Sequence, residues 1–243
     1  MISLASLSVV ISFPNEVLCN DITFGTSPAG RRGTDDPHRV ELLFHQFKKL
    51  VEVRTLEGFH DQIPSLFEQG GDVHVALPDY RSIFNHESGS IFRDEYHTIN
   101  KRMPRERIHL AEDRAFFYMD SVYSCYGWEN IKISMAFQRE VINNIIPVVK
   151  PDLIHCNDWM TGLLPAKARE LGIPCLFTIH NIFTVKKTLA EIEDHGIDAA
   201  LFWKHLFFMR PPVRYEETRE TNPVDFLVSG VFAEHFINTV SPS

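Results

Sequence analysis

Residues 151–182, PDLIHCNDWMTGLLPAKARELGIPCLFTIHNI, decide the fold of this 243-residue chain. An apolar run at 153–154 leads into polar residues, and a segment of helical composition follows as far as Gly172. A second apolar run, at 174–179, again ends at polar residues. A strand, a helix and another strand in this order are typical of a βαβ unit with two parallel strands.

The same alternation extends outward from this unit in both directions. Short apolar runs predict strands, and segments of helical period predict the helices that connect them. Right-handed crossovers put such helices on both faces of a sheet. The sequence therefore predicts an α/β fold with a Rossmann-like, doubly wound and mainly parallel sheet. The expected strands are 73–77, 107–110, 115–119 and 236–240, and the expected helices are 130–149 and 224–234.

The first part of the chain is less regular. Residues 20–38 are dense in Gly, Pro, Asp and Thr, which favours a loop or disorder, although residues 7–12 have the composition of a strand. We therefore predict a poorly defined, partly disordered N-terminal segment over residues 1–57. One Rossmann-like domain is expected over residues 58–243.

Composition argues against several classes of protein. The chain has 24 Lys and Arg against 32 Asp and Glu, and its formal net charge of −8 argues against a general nucleic-acid binder. Four scattered cysteines without a C-x-x-C pair indicate neither a disulfide framework nor a zinc ribbon. The apolar stretch 4–13 is too short for a membrane span and lacks the basic flank of a secretion signal. We expect a cytoplasmic protein that binds neither nucleic acid nor membrane.

Polar side chains follow each of the late strands. The sequence has His-Cys-Asn-Asp at 155–158, His-Asn at 180–181 and Thr-Val-Ser-Pro-Ser at 239–243. Because ligands of parallel sheets bind outside the carboxyl ends of the strands, we expect these groups to line one crevice. Hydroxyl, amide and imidazole groups suit a polyhydroxylated ligand better than an apolar one.

Structural interpretations of the same residues stay open. Asp158 is expected to cap the helix that follows it, which is compatible with ligand contact. His155 at a strand end is more often a structural histidine than a base. No zinc-type spacing supports a metal site made of His155, Cys156, Asp158 and His180, and we expect no metal.

Three catalytic fingerprints are missing from the sequence. No G-x-G-x-x-G follows a strand, and the glycines at 25, 30 and 33 lack a Walker lysine. No G-x-S-x-G elbow is present either. These absences disfavour a dinucleotide-dependent oxidoreductase and a serine hydrolase, and we expect no cofactor.

Four segments are similar to those of one family. Residues 151–182 and 222–243 closely resemble the bacterial and plant starch/glycogen synthases that use a nucleotide sugar. GDVHVALPDYR at 71–81 matches that family's second strand, and YGWENIKISMAFQREV at 126–141 matches the helix that enters its sugar site. The similarity runs from about residue 60 to the last residue, and the block at 151–182 is its most specific part.

The resemblance implies a GT-B architecture, in which two Rossmann-like domains face each other across a cleft. It also implies transfer of glucose from ADP-glucose to the non-reducing end of an α-1,4-glucan, with retention of configuration. This chain looks like the N-terminal, acceptor-side domain. We expect it to be inactive without a C-terminal nucleotide-binding domain, because a leaving diphosphate needs preorganised cations.

The resemblance further implies site residues at the matching positions. Asn157 and Asp158 are the expected catalytic residues near the glucosyl group. The expected substrate-binding residues are Glu129, Asn130, His180, Asn181 and Ser241.

Two positions depart from the family pattern. The family's Lys-x-Gly-Gly-Leu turn is replaced by Thr-Leu-Glu-Gly-Phe at 55–59, where Glu57 would repel a phosphate. Asn157 stands where the commonest pattern, His-x-His-Asp-Trp, has a histidine. Asparagine can bind a sugar hydroxyl but cannot carry a proton or a positive charge.

A second function stays open beside the enzyme. A non-catalytic remnant would hold α-glucan or a partner chain, and glucan binding without turnover would favour it. In either case, an isolated half exposes the cleft face that a second domain normally covers. We therefore expect self-association through that face.

Overall fold

The computed structural model describes residues 7–11, 22–26, 64, 67–68, 71–85, 91–122 and 124–240. Within these residues, seven strands form one sheet and two short strands pair separately. The strands are β1 (Leu7–Ile11), β2 (Ile22–Thr26), β3 (Asp72–Pro78), β4 (Ile108–Ala111), β5 (Leu153–Asn157), β6 (Cys175–Ile179), β7 (Lys186–Lys187), β8 (Val224–Asp225) and β9 (Phe236–Val240).

Helices connect the strands over the described part of the chain, and none of those helices is both long and apolar enough to cross a bilayer. A π-helical turn spans Val141–Ile145, and four 3₁₀ turns span Arg105–Arg107, Trp159–Thr161, Ala199–Leu201 and Trp203–His205. The α-helices are α1 (Arg81–Asn85), α2 (Ile91–Arg102), α3 (Arg114–Phe117), α4 (Gly127–Glu140), α5 (Ile146–Val149), α6 (Leu164–Glu170), α7 (Leu189–Asp194), α8 (Tyr215–Thr218) and α9 (Phe226–Ala233).

The strand order confirms the predicted doubly wound sheet. The seven described strands lie in the order β2-β9-β6-β5-β1-β3-β4, and only β2 is antiparallel to its neighbour. From β1 the sheet first grows through β3 and β4 on one side, and then through β5, β6 and β9 on the other. The order therefore reverses between β1 and β5, which is where ligands of such sheets bind.

Each face of the sheet packs against its own helices. The larger core cluster joins α4, α6 and α9 to one face. The smaller cluster places Ile99 of α2, and Met103 directly after that helix, against the other face. Because side chains alternate between the two faces along a strand, apolar residues two positions apart share a cluster. The strand residues of the smaller cluster are Val73, Val75, Leu77, Leu153, Leu176 and Phe236.

The long helix predicted over 130–149 is confirmed, but it is not uniform. It begins at Gly127, widens into the π-helical turn and continues as α5. Pro147 has no N–H to donate and its ring would clash with a carbonyl of a regular helical turn, which explains the wider turn before it. Lys150 ends the helix in the left-handed conformation, at φ 53°.

The prediction of a strand over 115–119 is wrong. Residues Arg114–Phe117 form α3 instead, because the Asp113 side chain caps it by accepting from the Ala115 N–H at 2.7 Å. The preceding strand prediction, 107–110, is confirmed by β4. A capping carboxylate at residue 113 therefore outweighs the β-like composition of residues 115–119.

Strands β1 and β2 come from the predicted N-terminal segment. Leu7–Ile11 confirms the strand composition noted at 7–12, and it pairs with both β3 and β5. The rest of residues 1–57 lies outside the described residues, so the division of the chain at residue 57 stays a prediction.

Gly230 in α9 allows a close approach between that helix and the sheet. A Cβ at this position would overlap the ring of Phe177, which is fully buried in β6. We expect Gly230→Ala to lower the free energy of unfolding by about 1–3 kcal/mol through overpacking. Urea unfolding measures this, with Gly127→Ala as the control because a Cβ there has no neighbour within 4 Å. Equal stability of the two variants would contradict the packing argument.

Candidate functional site

Four polar residues meet at the carboxyl ends of β5 and β6, beside the point where the strand order reverses. Asn157 ends β5, and it lies in register with Thr178 of the neighbouring strand β6. His180 and Asn181 follow β6, so the carboxyl ends of the two strands bring all four together. We call Asn157, Asp158, His180 and Asn181 the strand-end cluster.

Asp158 ties the two strand ends to each other. Its Oδ1 accepts from the backbone N–H of His180 at 2.7 Å and from that of Asn181 at 3.3 Å. Its Oδ2 accepts from the Asn181 side chain at 3.4 Å. The carboxylate is only 3% exposed, so these bonds are made away from water. Asp158 therefore determines the path of the chain after β6.

The prediction that Asp158 caps the next helix is wrong. Its side chain makes no capping hydrogen bond to the 3₁₀ turn Trp159–Thr161. The residue has φ 54° and ψ −178°, a backbone region populated almost only by glycine, whereas a capping residue needs extended backbone. Such strain is of order 1–3 kcal/mol and is typical of functional sites.

Asn157 supports the ring of His180. Its Oδ1 lies 3.2 Å from His180 Nε2, a hydrogen bond that the tautomer with the proton on Nε2 makes. Burial lowers the pKa of His180, although the Asp158 carboxylate opposes this effect. His180 is therefore uncharged near neutral pH. Asn157 is 2% exposed, whereas His180 is half-buried and Asn181 is exposed.

A second polar row lies behind the strand-end cluster. His155 Nε2 and Thr178 Oγ1 are 2.8 Å apart, and the Asn238 amide donates to the same hydroxyl at 3.4 Å. Burial, together with nearby His180, lowers the pKa of His155 to about 3. This supports the structural interpretation of His155. The polar residues of this row lie in the carboxyl half of the three strands. In the amino half, the same face carries the apolar residues Leu153, Leu176 and Phe236.

Sequence reasoning missed Thr178 and Asn238. The sequence does contain a signal for them, because Thr178 lies two positions after Leu176 and Asn238 lies two positions after Phe236. Residues two positions apart in a strand point to the same face of the sheet. Their partners lie 23 and 60 residues away along the chain, and only the sheet register reveals those partners.

Glu129 and Asn130 lie at the start of α4 and hold the turn before it. The Asn130 side chain accepts from the Ser124 N–H at 2.9 Å and donates to the Ser124 carbonyl at 2.8 Å. Ser124 Oγ donates to the Glu129 carboxylate. One helical turn further on, Ser134 Oγ donates to the carbonyl of Met160, just beyond the strand-end cluster. These two predicted residues are therefore at the same edge of the sheet, in the first turn of a separate element, α4.

The positive charge of Arg81, beyond the end of β3, is paired with carboxylates that follow β3 and β4. The Arg81 guanidinium donates to Asp79 at 2.7 Å and lies 3.5 Å above the ring of Phe117. Glu112 is 3.5 Å away on its other side. Arg81 is thus engaged by two carboxylates, which leaves it little charge to offer an anion.

Two earlier expectations cannot be placed. Ser241 and the segment 55–59 lie outside the described residues. The roles of the other six predicted site residues stay predictions, and within the described part of the chain no group of three His, Cys, Asp or Glu side chains is arranged to hold a metal.

Known proteins similar to this chain agree on one family. The family described as the starch synthase catalytic domain matches residues 62–243. A glycogen synthase of Fusobacterium nucleatum is 26% identical over 196 residues, which covers 71% of this chain and 39% of that protein. A glycogen synthase of Moorella thermoacetica is 25% identical over 217 residues, which covers 76% of this chain and 43% of that protein.

A solved structure resembles the fold. The catalytic domain of starch synthase IV from Arabidopsis thaliana, bound to ADP and acarbose, superposes with a TM-score of 0.51 at 14% identity. The match covers 95% of this chain and 44% of that one. The chain thus spans less than half the length of these relatives, and at this identity the structural likeness establishes the fold alone.

We expect Asp158→Asn to loosen the chain after β6. The Asn carbonyl can still accept from the two backbone N–H groups, but without the charge of the carboxylate, and its NH2 group would face the Asn181 amide, which donates to Oδ2 of Asp158. The free energy of unfolding should therefore fall by about 1–3 kcal/mol. Loss of the negative charge should also lower the pKa of His180 further, because Asp158 raises it. Urea unfolding and an NMR titration of the His180 ring measure the two effects. Asp152→Asn, at the amino end of β5, is the matched control, and similar values for both variants would refute the role of Asp158.

Stability should depend on pH through His155. The pKa of His155 is near 6.5 when unfolded and about 3 when folded, so only the unfolded chain gains a proton as the pH falls below 6.5. The contribution of His155 to stability is full above that pH and should decrease by about 2 kcal/mol by pH 5. Urea unfolding at pH 7.5 and pH 5 should show a smaller decrease in His155→Gln. An unchanged pH dependence in that variant would contradict the shift.

Proposed function

This chain belongs to the family of starch synthase catalytic domains, and from that membership we propose that it is the N-terminal, acceptor-side half of a starch/glycogen synthase. The enzyme transfers glucose from ADP-glucose to the non-reducing end of an α-1,4-glucan, with retention of configuration. The fold is that of one Rossmann-like half of a GT-B glycosyltransferase, as the likeness to the starch synthase IV domain indicates.

The strand-end cluster is the observation that carries this proposal. Its four residues lie at the ends of β5 and β6, next to the reversal of strand order, and present an imidazole, two amides and a carboxylate. At neutral pH the imidazole is uncharged, so the cluster offers directional hydrogen bonds without a fixed cation. Such a set suits the hydroxyl groups of a sugar better than a diphosphate.

The four residues differ in their exposure to solvent, and we assign them different roles on that basis. His180 and Asn181 reach solvent and contact the glucosyl group. Asn157 and Asp158, which are almost fully buried, act through them by fixing the His180 ring and the chain after β6. Asn157 in place of the family's commonest histidine fits this supporting role, because the task needs an acceptor and no proton transfer.

The leaving diphosphate requires cations from another source. Arg81, at the end of a neighbouring strand, is already engaged by Asp79 and Glu112. Electrostatic stabilisation of a leaving group needs charges that are positioned in advance and not yet compensated. We therefore assign this task to a C-terminal domain, without which the chain is inactive.

The remaining partners follow from the same proposal. ADP-glucose and α-glucan are the ligands, neither nucleic acid nor membrane is bound, and the protein is cytoplasmic. Where no second domain covers it, the carboxyl-end face of the sheet promotes self-association.

Glucosyl transfer by the native polypeptide from its source cells tests the proposal. The assay follows ADP release and incorporation of glucose into maltoheptaose. We expect His180→Ala to lower kcat/KM by about tenfold or more, because a hydrogen bond to the substrate is lost. His195→Ala is the control, since that ring bonds the Glu191 carbonyl at the end of α7.

The outcomes separate the competing functions. Transfer that depends on His180 supports the synthase. Glucan binding without any transfer supports the non-catalytic remnant instead. Equal transfer rates in His180→Ala and His195→Ala would show that the strand-end cluster takes no part in the reaction.

A further inference from the structure

Two large aromatic side chains stand in solvent at the start of α4. Tyr126 is 59% exposed and Trp128 is 66% exposed. Their rings stack with centroids 6.4 Å apart and an angle of 29° between the ring planes. Together they present an aromatic surface, most of which stays exposed in the described part of the chain.

Hydrogen bonds hold the backbone that carries the aromatic pair. The Tyr126 N–H donates to Ser124 Oγ at 3.1 Å, and Ser124 is itself bonded twice by the Asn130 side chain. The Tyr126 carbonyl accepts from the Glu129 N–H at 3.1 Å. Rigid aromatic groups gain contact area at a low cost in conformational entropy, so this arrangement is suited to binding.

Topology places the aromatic pair at the same edge as the strand-end cluster. The chain leaves β4 at Ala111, on the carboxyl edge, and α4 then carries it back to the amino end of β5. The first turn of α4 therefore lies at the carboxyl edge. The bond from Ser134 to the Met160 carbonyl fixes the helix against the segment that follows β5.

We propose that Tyr126 and Trp128 form a stacking platform for the pyranose rings of an α-linked glucan. A pyranose has an apolar face of C–H groups and a rim of hydroxyls. The ring pair matches the face, and the neighbouring Glu129 carboxylate matches the rim. The inference rests on the proposed function and extends it, since it states where the acceptor chain lies away from its reacting end.

The size of the surface favours a sugar over a protein. Two aromatic side chains bury about 150–250 Å² each, whereas a stable protein interface needs about 800 Å² on each partner. The pair alone is too small to hold a second copy of the chain. It is large enough for one or two sugar rings, which need hydrogen-bonding groups beside the apolar face.

Trp128 provides its own probe. Of the three tryptophans, Trp159 is buried and Trp203 is half-buried, so the exposed Trp128 should respond most to a ligand. The experiment titrates the full chain with maltoheptaose and records tryptophan emission and the heat of binding. We expect Trp128→Ala to weaken binding by tenfold or more and Trp128→Phe to restore it to within about threefold. Phe232→Ala on α9, also an exposed aromatic, is the matched control and should bind as the wild type does.

Parallel assays distinguish failure of this inference from failure of the proposed function. If the wild type transfers glucose and binds maltoheptaose, and Trp128→Ala does both equally well, the platform is refuted and the synthase stands. If the wild type does neither, both are refuted. If sedimentation shows that Trp128→Ala only reduces self-association, the surface is a contact between copies and the platform is refuted.

Discussion

The parallel pairing of β1 with both β3 and β5 is the constraint on which the sheet depends. Leu7–Ile11 pairs with five residues of β3 on one side and three residues of β5 on the other. Without this strand, the pair β3 and β4 would be separated from β5, β6 and β9, and each group would present an unpaired edge. The reversal of strand order occurs at the same strand, so β1 also determines where the crevice opens.

Asp158 connects the sheet to the candidate site. Its backbone turns sharply at the end of β5, and its carboxylate binds the chain that leaves β6. The strained conformation persists because the surrounding hydrogen bonds hold it. In turn, the position of His180 depends on Asp158 for its backbone and on Asn157 for its ring.

The chemistry at this edge is dominated by uncharged or compensated groups. Burial keeps His155 and His180 neutral, and Arg81 is engaged by Asp79 and Glu112. An edge of this kind binds hydroxyls through directional hydrogen bonds and offers little to a diphosphate. The exposed ring pair of Tyr126 and Trp128 adds apolar surface beside it. Both features are consistent with the proposed role as the acceptor side of a glucosyltransferase.

Local patterns predicted much of this edge correctly. The βαβ unit at 151–182 follows from apolar runs, a helical segment and Gly172, whose φ of 68° ends α6. Prediction failed where a single side chain overrode composition. Asp113 caps a helix where a strand was expected, and Asp158 binds a neighbouring strand end where a cap was expected.

The sequence by itself determined the order and type of the late elements and the polar residues at their ends, because these depend on periodicity within short windows. Only the tertiary structure decided which ends meet. Thr178 bonds to His155 and Asn238, and the three residues lie on three different strands. Asp158 accepts hydrogen bonds from residues 22 and 23 positions further along the chain. Such contacts depend on strand register and on one unusual backbone angle, and neither is encoded in a local pattern.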